Sequence, residues 1–264
     1  EIDMKQDLRS FKAYDIRGKV PEELSPDLAY KIGVAYANEI QANTVVIGHD
    51  IRLESPQLSK KLAEGLIDAG VHVVDIGLCG TEEIYFATFH HDYDGGIMIT
   101  ASHNPKGYNG MKLVRDAAKP VSNDSGLLDI KQRILDDRFQ YSSKKGSYQK
   151  KESKEAYLQH LLSYISIEEL AKVEPLTLVV NPGNGSAAAM IHPLMESLPV
   201  KVIYVHDQVD GNFPHGVPNP LLPENRESTA KAVRENGADL GIAWDGDFDR
   251  CFFFDSNGAF IEGY

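Results

Sequence analysis

The sequence has few of the features that mark secreted, membrane-bound or nucleic-acid-binding proteins. Two cysteines, Cys79 and Cys251, are too few for a disulfide framework, so a reducing compartment is expected. No apolar run approaches the roughly 18 residues of a membrane span, and residues 1–7 lack the apolar core of a secretory signal. A net charge of −12 argues against nucleic acid as the main partner. We therefore expect a cytoplasmic protein without membrane or nucleic-acid partners.

The composition is that of a globular protein with ample material for buried cores. Hydrophobic residues make up 42% of the chain and charged residues 25%. A length of 264 residues suits one large domain or two of ordinary size. The acidic balance remains compatible with a phosphorylated small molecule, because such a ligand needs only a few local cations and backbone N–H groups.

Apolar runs with β-branched residues alternate with helical patterns along the chain. Strands are predicted at Thr44–Ile47, Val71–Ile76, Gly95–Thr100, Leu176–Val180, Lys201–Val205 and Leu240–Trp244. Helices should begin near Ser25-Pro26 and Ser55-Pro56, where a capping hydroxyl precedes a proline, and Gly70 suits a left-handed helix stop. The alternation predicts α/β layers with largely parallel strands, and antiparallel pairing near Met111–Val114.

The polar stretch Asp136–Gly146 is the best candidate for a domain boundary, because it has few core residues and strand–helix alternation restarts after it. We predict a first domain over residues 1–148 and a second over residues 149–258. A further strand, Phe252–Phe254, ends in a turn. The apolar stub at residues 259–264 then has no predicted partner, and we interpret it as the start of another domain in a chain that looks interrupted.

A turn-rich loop after the strand Gly95–Thr100 presents the hydroxyl of Ser102. A loop beyond a strand end faces the crevice where ligands of open α/β sheets bind. The alternative is that Ser102 only satisfies backbone groups in a turn and that His103 is a structural hydrogen-bonding residue. A hydrolase nucleophile elbow would need glycines two positions either side of Ser102, where this chain has Thr100 and Asn104.

Lys112 follows this loop and alternates with Met111 and Leu113 in a predicted strand, so it points to the opposite face. One interpretation is an exposed surface lysine. The other is a proton donor or acceptor beside a phosphoryl group on Ser102.

Three carboxylates, Asp245, Asp247 and Asp249, follow the predicted buried strand Leu240–Trp244. In an extended backbone, alternate side chains share a face, so the three groups would converge while Phe248 points away towards packing. All-oxygen ligation indicates a hard cation, with Mg²⁺ favoured when a phosphate completes the shell.

An EF-hand calcium loop is the main competitor for this acidic pattern, and solvated acids in a turn are another. The EF-hand requires glycine at its sixth position and glutamate at its twelfth, where this chain has Arg250 and Ser256. Solvated acids are a weaker interpretation directly after a buried strand, because clustered like charges repel one another.

The charges of the two loops test whether they could form one site. Three carboxylates, a serine-linked phosphate of about −2 and one Mg²⁺ leave a net charge of roughly −3. Nearby cations must offset this charge, and the candidates are Arg250, Lys112 and Arg17.

With both loops in place, the chain resembles the α-D-phosphohexomutase superfamily, and most closely its bacterial phosphomannomutases. The match is carried by Phe11–Gly18, by Thr100–Pro105 with Tyr108–Val114, and by Asp245–Arg250. Many relatives have glycine where Ala101 and Phe248 stand, and neither position supplies a ligand. The resemblance implies two three-layer α/β/α domains with mixed, mostly parallel sheets, followed in the family by two further domains.

The resemblance also implies a role for each matched residue. Ser102 is the expected phosphoserine, and Lys112 is the expected general acid/base. His103 and Asn104 lie in the phosphoserine loop. Tyr14, Arg17 and Arg250 match substrate- or phosphate-binding positions. The expected Mg²⁺ ligands are the phosphate on Ser102 and the carboxylates of Asp245, Asp247 and Asp249.

The implied reaction interconverts mannose 6-phosphate and mannose 1-phosphate, a step towards GDP-mannose. Phospho-Ser102 gives its phosphoryl group to the sugar, and a hexose 1,6-bisphosphate forms as intermediate and activator. Phosphoglucomutase and phosphoglucosamine mutase remain alternatives within this class. A module that binds metal and phosphate without mutase activity is an alternative from another class.

Overall fold

The computed structural model describes residues 8–263 and divides into two compact units, Glu1–Ser153 and Lys154–Tyr264. Residues 1–7, considered above for a secretory signal, and Tyr264, the end of the apolar stub, lie outside the described residues. Among the residues described, no helix is both long enough and apolar enough to cross a membrane. The expected boundary between residues 148 and 149 falls inside the strand Ser147–Lys150 of the first unit.

The first unit contains a six-stranded mixed sheet in the order β1-β5-β4-β2-β3-β6. The strands are β1 (Ile16–Lys19), β2 (Thr44–His49), β3 (His72–Leu78), β4 (Gly95–Ile99), β5 (Tyr108–Arg115) and β6 (Ser147–Lys150). Strands β4, β2, β3 and β6 run parallel to one another, and β5 pairs antiparallel with both β4 and β1. The predicted antiparallel pairing near Met111–Val114 is confirmed.

Helices cover both faces of this sheet, because alternate side chains of the strands point to opposite sides. Val45 and Ile47 of β2 belong to a large core with one set of helices, whereas Val46 belongs to a separate core on the other face. The first set is α1 (Pro26–Ile40), α2 (Ser55–Asp68) and α4 (Leu127–Leu135), and the opposite face carries α3 (Thr81–His90). The unit is therefore an α/β/α domain, as expected.

The predicted helix ends hold at two positions and fail at one. Ser25 caps α1 by accepting a hydrogen bond from the N–H of Leu28 at 3.0 Å, and Gly70 takes a φ of +91° after α2. Helix α2 begins at Ser55, but the predicted cap is wrong because no side chain caps this helix. The Ser55 hydroxyl instead donates to the buried carboxylate of Asp50 at 2.6 Å.

The second unit contains a four-stranded mixed sheet in the order β10-β9-β7-β8. Its strands are β7 (Thr177–Asn181), β8 (Lys201–Tyr204), β9 (Leu240–Trp244) and β10 (Cys251–Phe254). Its helices are α5 (Lys154–Leu162), α6 (Ile167–Leu170), α7 (Ala188–Glu196) and α8 (Glu227–Asn236). Helices α7 and α8 pack on opposite faces, because Ile191 of α7 joins one core and Val233 of α8 joins another.

The apolar stub after β10 has partners within the second unit, so the prediction that it lacks them is wrong. Phe260 forms an antiparallel bridge with Phe254, and the guanidinium carbon of Arg226 lies 3.6 Å from the centroid of the Phe260 ring. The N–H of Ile261 donates to the carbonyl of Phe253 at 2.9 Å. The predicted turn after β10 folds this segment back on the strand, and the pairing that results was not predicted.

Candidate active site and metal-binding loop

The loop between β4 and β5, residues 100–107, carries Ser102 and is called the serine loop. It begins at the carboxyl end of β4, on the same edge of the sheet as the carboxyl ends of the parallel strands β2 and β3. This edge of an open α/β sheet is where ligands bind. Ser102 is 1% exposed and has a φ of +54°. The left-handed conformation costs a non-glycine residue about 1–2 kcal/mol, so surrounding contacts must hold Ser102 in place.

A chain of hydrogen bonds anchors the backbone of Ser102 to β2. The N–H of Ser102 donates to Thr100 Oγ1 at 2.9 Å, and the Thr100 hydroxyl donates to Asp50 Oδ2 at 2.8 Å. The Oγ of Ser102 lies 3.4 Å from His103 Nδ1. The side chains of Ser102 and His103 are therefore in contact, and Thr100 and Asp50 hold the backbone of Ser102 in place.

Asp50 is buried at the end of β2 and accepts hydrogen bonds from several donors. Its Oδ1 accepts from the N–H of Arg52 at 3.0 Å and from the Ser55 hydroxyl. Burial raises the pKa of Asp50, whereas the Arg52 guanidinium and the hydroxyls of Ser55 and Thr100 lower it. Burial is the largest of these effects, so the pKa of Asp50 is raised overall, while the hydrogen-bond donors and the Arg52 guanidinium stabilise its ionised form.

Arg52 is a residue that the sequence analysis missed. Its side chain is 2% exposed, and its Nε lies 3.5 Å from Asp50 Oδ2. Its two terminal nitrogens donate to the carbonyl oxygens of Ser102, Asn104, Pro105 and Tyr108, at 3.1, 2.5, 2.9 and 3.1 Å. The available signal was the pair Asp50 and Arg52 directly after a predicted strand, where ligand-binding loops of α/β sheets begin.

Arg17 joins the first predicted motif to the serine loop. Its guanidinium donates to Asn104 Oδ1 at 3.0 Å and to Asp15 Oδ2 at 2.7 Å. Arg17 pairs with Gly110, two residues before Lys112, so the side chains of Arg17 and Lys112 point to the same face of the sheet. The structure thus brings Arg17, Asn104 and Ser102 into one region.

Lys112 and Tyr14 differ in their placement. Lys112 lies opposite Met98 of β4 on the sheet face covered by α3, and it is partly buried rather than fully exposed. The role of Lys112 as a proton donor or acceptor stays a prediction. Tyr14 is 81% exposed in the loop before β1, where its ring is available to a ligand.

Gly110 allows β5 to pass close to β1 and to the start of the serine loop. A Cβ at this position would lie 2.1 Å from the carbonyl oxygen of Ile16 and 2.9 Å from that of Thr100. We expect Gly110→Ala to lower the free energy of unfolding by about 3 kcal/mol, because backbone must shift to relieve the overlap. Urea denaturation measures this loss.

Gly107 in the same loop provides a matched control. A Cβ there would meet no atom within 4 Å, although its φ is +86°. Gly107→Ala should therefore cost only about 1 kcal/mol, through backbone strain. A Gly110 variant as stable as the Gly107 variant would rule out the steric explanation.

The aspartate loop is a six-residue hairpin connection between β9 and β10, which pair antiparallel from Trp244 and Cys251 onwards. The N–H of Phe248 donates to the carbonyl of Asp245 at 3.1 Å, and Phe248 has a φ of +42°. The predicted extended geometry is therefore wrong. The carboxylates converge because the loop curls into a turn, and the left-handed position at Phe248 is one that glycine adopts without strain.

The three aspartates offer a donor set that suits a hard divalent cation. One carboxylate oxygen from each of Asp245, Asp247 and Asp249 lies within 4.8 Å of the others. Three converging carboxylate oxygens are the kind of ligand that a hard cation such as Mg²⁺ prefers. Asp245 and Asp247 are buried, and the side chain of Asp249 is 23% exposed. The acidic group thus fits a metal site.

Arg250 offsets part of the negative charge in this loop, as the charge count requires. Its Nε lies 3.3 Å from Asp245 Oδ2 and 3.7 Å from Asp249 Oδ1. Its backbone N–H donates to Asp245 Oδ1 at 3.2 Å. Arg250 therefore orients Asp245 through both its side chain and its backbone.

The position of the aspartate loop follows from the topology of the second sheet. Strand β7 leads into α7 on one face, and α8 on the other face leads into β9, its neighbour. The carboxyl ends of two such strands form a crevice that commonly binds ligands. The loop after β7 touches the aspartate loop there, since the N–H of Ser186 donates to the carbonyl of Gly246 at 3.2 Å.

These features define a protein of two α/β/α domains, with a buried serine loop in the first and a carboxylate loop in the second, each at the carboxyl ends of parallel strands. The model of phosphoglucomutase/phosphomannomutase α/β/α domain I matches residues 8–141, and that of domain II matches residues 155–258. The chain therefore belongs to the phosphoglucomutase/phosphomannomutase family.

Individual relatives agree with this assignment. A phosphomannomutase of Salmonella montevideo is 54% identical over 264 residues, and one of Vibrio cholerae is 52% identical over 269 residues. A Burkholderia thailandensis structure of a phosphoglucomutase/phosphomannomutase family protein superimposes with a TM-score of 0.87 at 35% identity, covering 96% of this chain and 56% of that chain. The alignments cover 97% and 98% of this chain but only 57% and 58% of the two phosphomannomutases.

Proposed function

We propose that this chain is part of a phosphomannomutase-type phosphohexomutase, an isomerase that interconverts mannose 6-phosphate and mannose 1-phosphate. The observation that carries the proposal is Ser102, held in a left-handed conformation at the carboxyl end of β4 with Arg17 and Asn104 beside it. The acidic loop of the second unit supports it, as do relatives named phosphomannomutase that share more than half of their aligned residues with this chain.

In the proposed reaction, Ser102 Oγ carries the phosphoryl group and exchanges it with the hydroxyls at carbons 1 and 6 of the sugar. This covalent route divides one difficult displacement into two transfers. Lys112 takes the proton from the attacking sugar hydroxyl and returns it in the second transfer. Arg17, Asn104 and Tyr14 bind the sugar phosphate, and His103 supports Ser102 at 3.4 Å.

Mg²⁺ is the proposed metal, and Asp245, Asp247 and Asp249 are its proposed carboxylate ligands. When bound, it stabilises negative charge on the phosphoryl oxygens. Arg250 lies against the same carboxylates and contributes positive charge for the phosphate. A hexose 1,6-bisphosphate is the proposed activator, because it can phosphorylate Ser102 directly.

The test is incubation of the chain with Mg²⁺ and glucose 1,6-bisphosphate or mannose 1,6-bisphosphate, followed by intact mass and peptide mapping. We expect one added phosphoryl group on Ser102. Omission of Mg²⁺ is the control and should prevent labelling. A chain that gains no phosphoryl group, or gains it at another residue, would refute the proposed function.

Turnover assays separate the alternatives within this class. Mannose 1-phosphate, glucose 1-phosphate and glucosamine 1-phosphate are compared as substrates at equal concentrations. In a protein that includes the rest of the relatives' length, preference for glucose 1-phosphate or glucosamine 1-phosphate would indicate a sister activity, and labelling without turnover would support a metal- and phosphate-binding module. We propose that segments equivalent to the rest of the relatives' length complete the site, and that the enzyme acts in the cytoplasm.

Lys112→Gln should slow phosphorylation of Ser102 by about 10²–10⁴-fold, because general acid–base catalysis typically contributes that much. The free energy of unfolding should change little, since the lysine is only partly buried. Single-turnover labelling with bisphosphate measures the rate. Lys119→Gln, at an exposed position of the same unit, is the control. Equal rates in both variants would exclude Lys112 as the proton carrier.

A further inference from the structure

We propose that Arg52, paired with Asp50, is the positioning residue that holds Ser102 Oγ in the orientation needed for phosphoryl transfer. This assignment rests on the function proposed above and adds a residue to it. The observation behind it is that the buried guanidinium of Arg52 donates to four carbonyl groups in and directly after the serine loop. No substrate contact is assigned to Arg52, because its side chain is 2% exposed.

The backbone of Ser102 is held on both sides. Its N–H donates to Thr100 Oγ1 at 2.9 Å, and its carbonyl accepts from Arg52 Nη2 at 3.1 Å. The first bond fixes the peptide plane before the residue and the second fixes the plane after it. Because peptide groups are planar, these two constraints set φ and ψ and hence the direction of the Cα–Cβ bond. Only χ1 remains to place Oγ.

The hydrogen bonds to the N–H and to the carbonyl of Ser102 are linked to each other through Asp50 and Arg52. Because Thr100 Oγ1 accepts from Ser102, its own proton goes to Asp50 Oδ2 at 2.8 Å. Asp50 is therefore an acceptor in this chain of bonds, and its negative charge faces Arg52 Nε at 3.5 Å. The buried positive charge of Arg52 is thus balanced at one end while its terminal nitrogens bind carbonyls at the other.

The planar geometry of arginine explains why another cation would not suffice. A guanidinium presents five N–H groups in a fixed plane, whereas an ammonium presents three on a single nitrogen. Lysine at position 52 could bind some of the four carbonyls but would leave others without a donor. Ser102, at a φ of +54°, could then relax to a less strained backbone. A displacement of about 1 Å in a reacting group can cost on the order of 100-fold in rate.

The experiment compares Arg52→Lys with wild type by single-turnover phosphorylation of Ser102, corrected for the folded fraction. We expect a loss of about 100-fold in rate. Arg115→Lys is the matched control, because Arg115 also donates to a loop carbonyl, that of Ser125, in the same unit but away from the serine loop. Arg115→Lys should lose stability without losing rate. Equal rate losses in the two variants would overturn the proposal.

Thr100 provides a second test if Arg52→Lys folds poorly. Thr100→Val removes the acceptor for the Ser102 N–H, whereas Thr100→Ser retains it. We expect Thr100→Val to slow labelling at least tenfold, and Thr100→Ser to recover most of the rate. Equally fast labelling by Thr100→Val and wild type would contradict positioning through the Ser102 backbone.

Hydrogen exchange separates failure of this proposal from failure of the proposed function. If wild type is not labelled by bisphosphate, the proposed function fails, but amide exchange at residues 102–108 can still be compared between wild type and Arg52→Lys. We expect at least tenfold faster exchange in this segment and unchanged exchange in α4. Unchanged exchange at residues 102–108 would overturn the role of Arg52, whether or not the chain is labelled.

Discussion

Ser102→Ala should abolish labelling of the chain by hexose 1,6-bisphosphate while leaving the fold intact. The hydroxyl is the proposed nucleophile, and alanine has no group that can form a phosphate ester. The backbone bonds of residue 102 to Thr100 and Arg52 do not involve the hydroxyl, so the variant retains them. The free energy of unfolding should change by less than about 1 kcal/mol.

Intact mass spectrometry measures the labelling of Ser102→Ala, and urea denaturation measures its free energy of unfolding. Ser59→Ala is the matched control, because it removes another buried hydroxyl of the first unit, on α2 and away from the serine loop. It should be labelled at the wild-type rate. Labelling of Ser102→Ala at any appreciable rate would show that the phosphoryl group is carried elsewhere.

Addition of Mg²⁺ should reverse the order of stability of Asp247→Asn and wild type. Without the ion, the variant relieves repulsion among three converging carboxylates, which we expect to stabilise it by on the order of 1 kcal/mol. With Mg²⁺ at about 100 times its dissociation constant, wild type gains about 2.7 kcal/mol, because the ion binds only the folded chain. The variant should gain much less and become the less stable of the two. Urea unfolding with and without Mg²⁺ measures the difference in stability between the variant and wild type under both conditions.

Asp255→Asn is the control for this reversal. Asp255 lies in the next turn of the chain and accepts bonds from the N–H groups of Asn257 and Ala259, which an asparagine oxygen can also accept. Its response to Mg²⁺ should match that of wild type. If Asp247→Asn gained as much stability from Mg²⁺ as wild type does, the aspartate loop would not be the metal site.

The strand and helix pattern could be predicted from the sequence because it depends on local properties. Buried strands read as apolar β-branched runs, and β9 was predicted with the bounds Leu240–Trp244 that the structure has. The cap of α1 by Ser25 follows from residues within one helical turn. The antiparallel pairing in the first sheet could be predicted as well, since a turn-rich loop joins β4 directly to β5 and leaves no room for a crossover helix.

The errors concern contacts that hydrophobic periodicity and capping patterns do not encode, some of them local and one between residues distant in sequence. The hydroxyl of Ser55 fits a helix cap by spacing, but the buried carboxylate of Asp50 offers a stronger acceptor. Phe260 of the apolar stub pairs with Phe254 in a hairpin. Its ring also contacts Arg226, which lies 34 positions earlier in the chain. The carboxylates of the aspartate loop converge through a turn rather than through strand alternation.

The sequence by itself determined which groups are available for chemistry: one serine in a loop beyond a strand, three carboxylates after another, and the arginines near each. Composition and spacing carry that information because side-chain chemistry is local. Only the tertiary structure decided how Ser102 is held, since the buried pair Asp50 and Arg52 reaches it across neighbouring parallel strands. Burial turns such long-range polar contacts into strong constraints, because a buried polar group without a partner is costly.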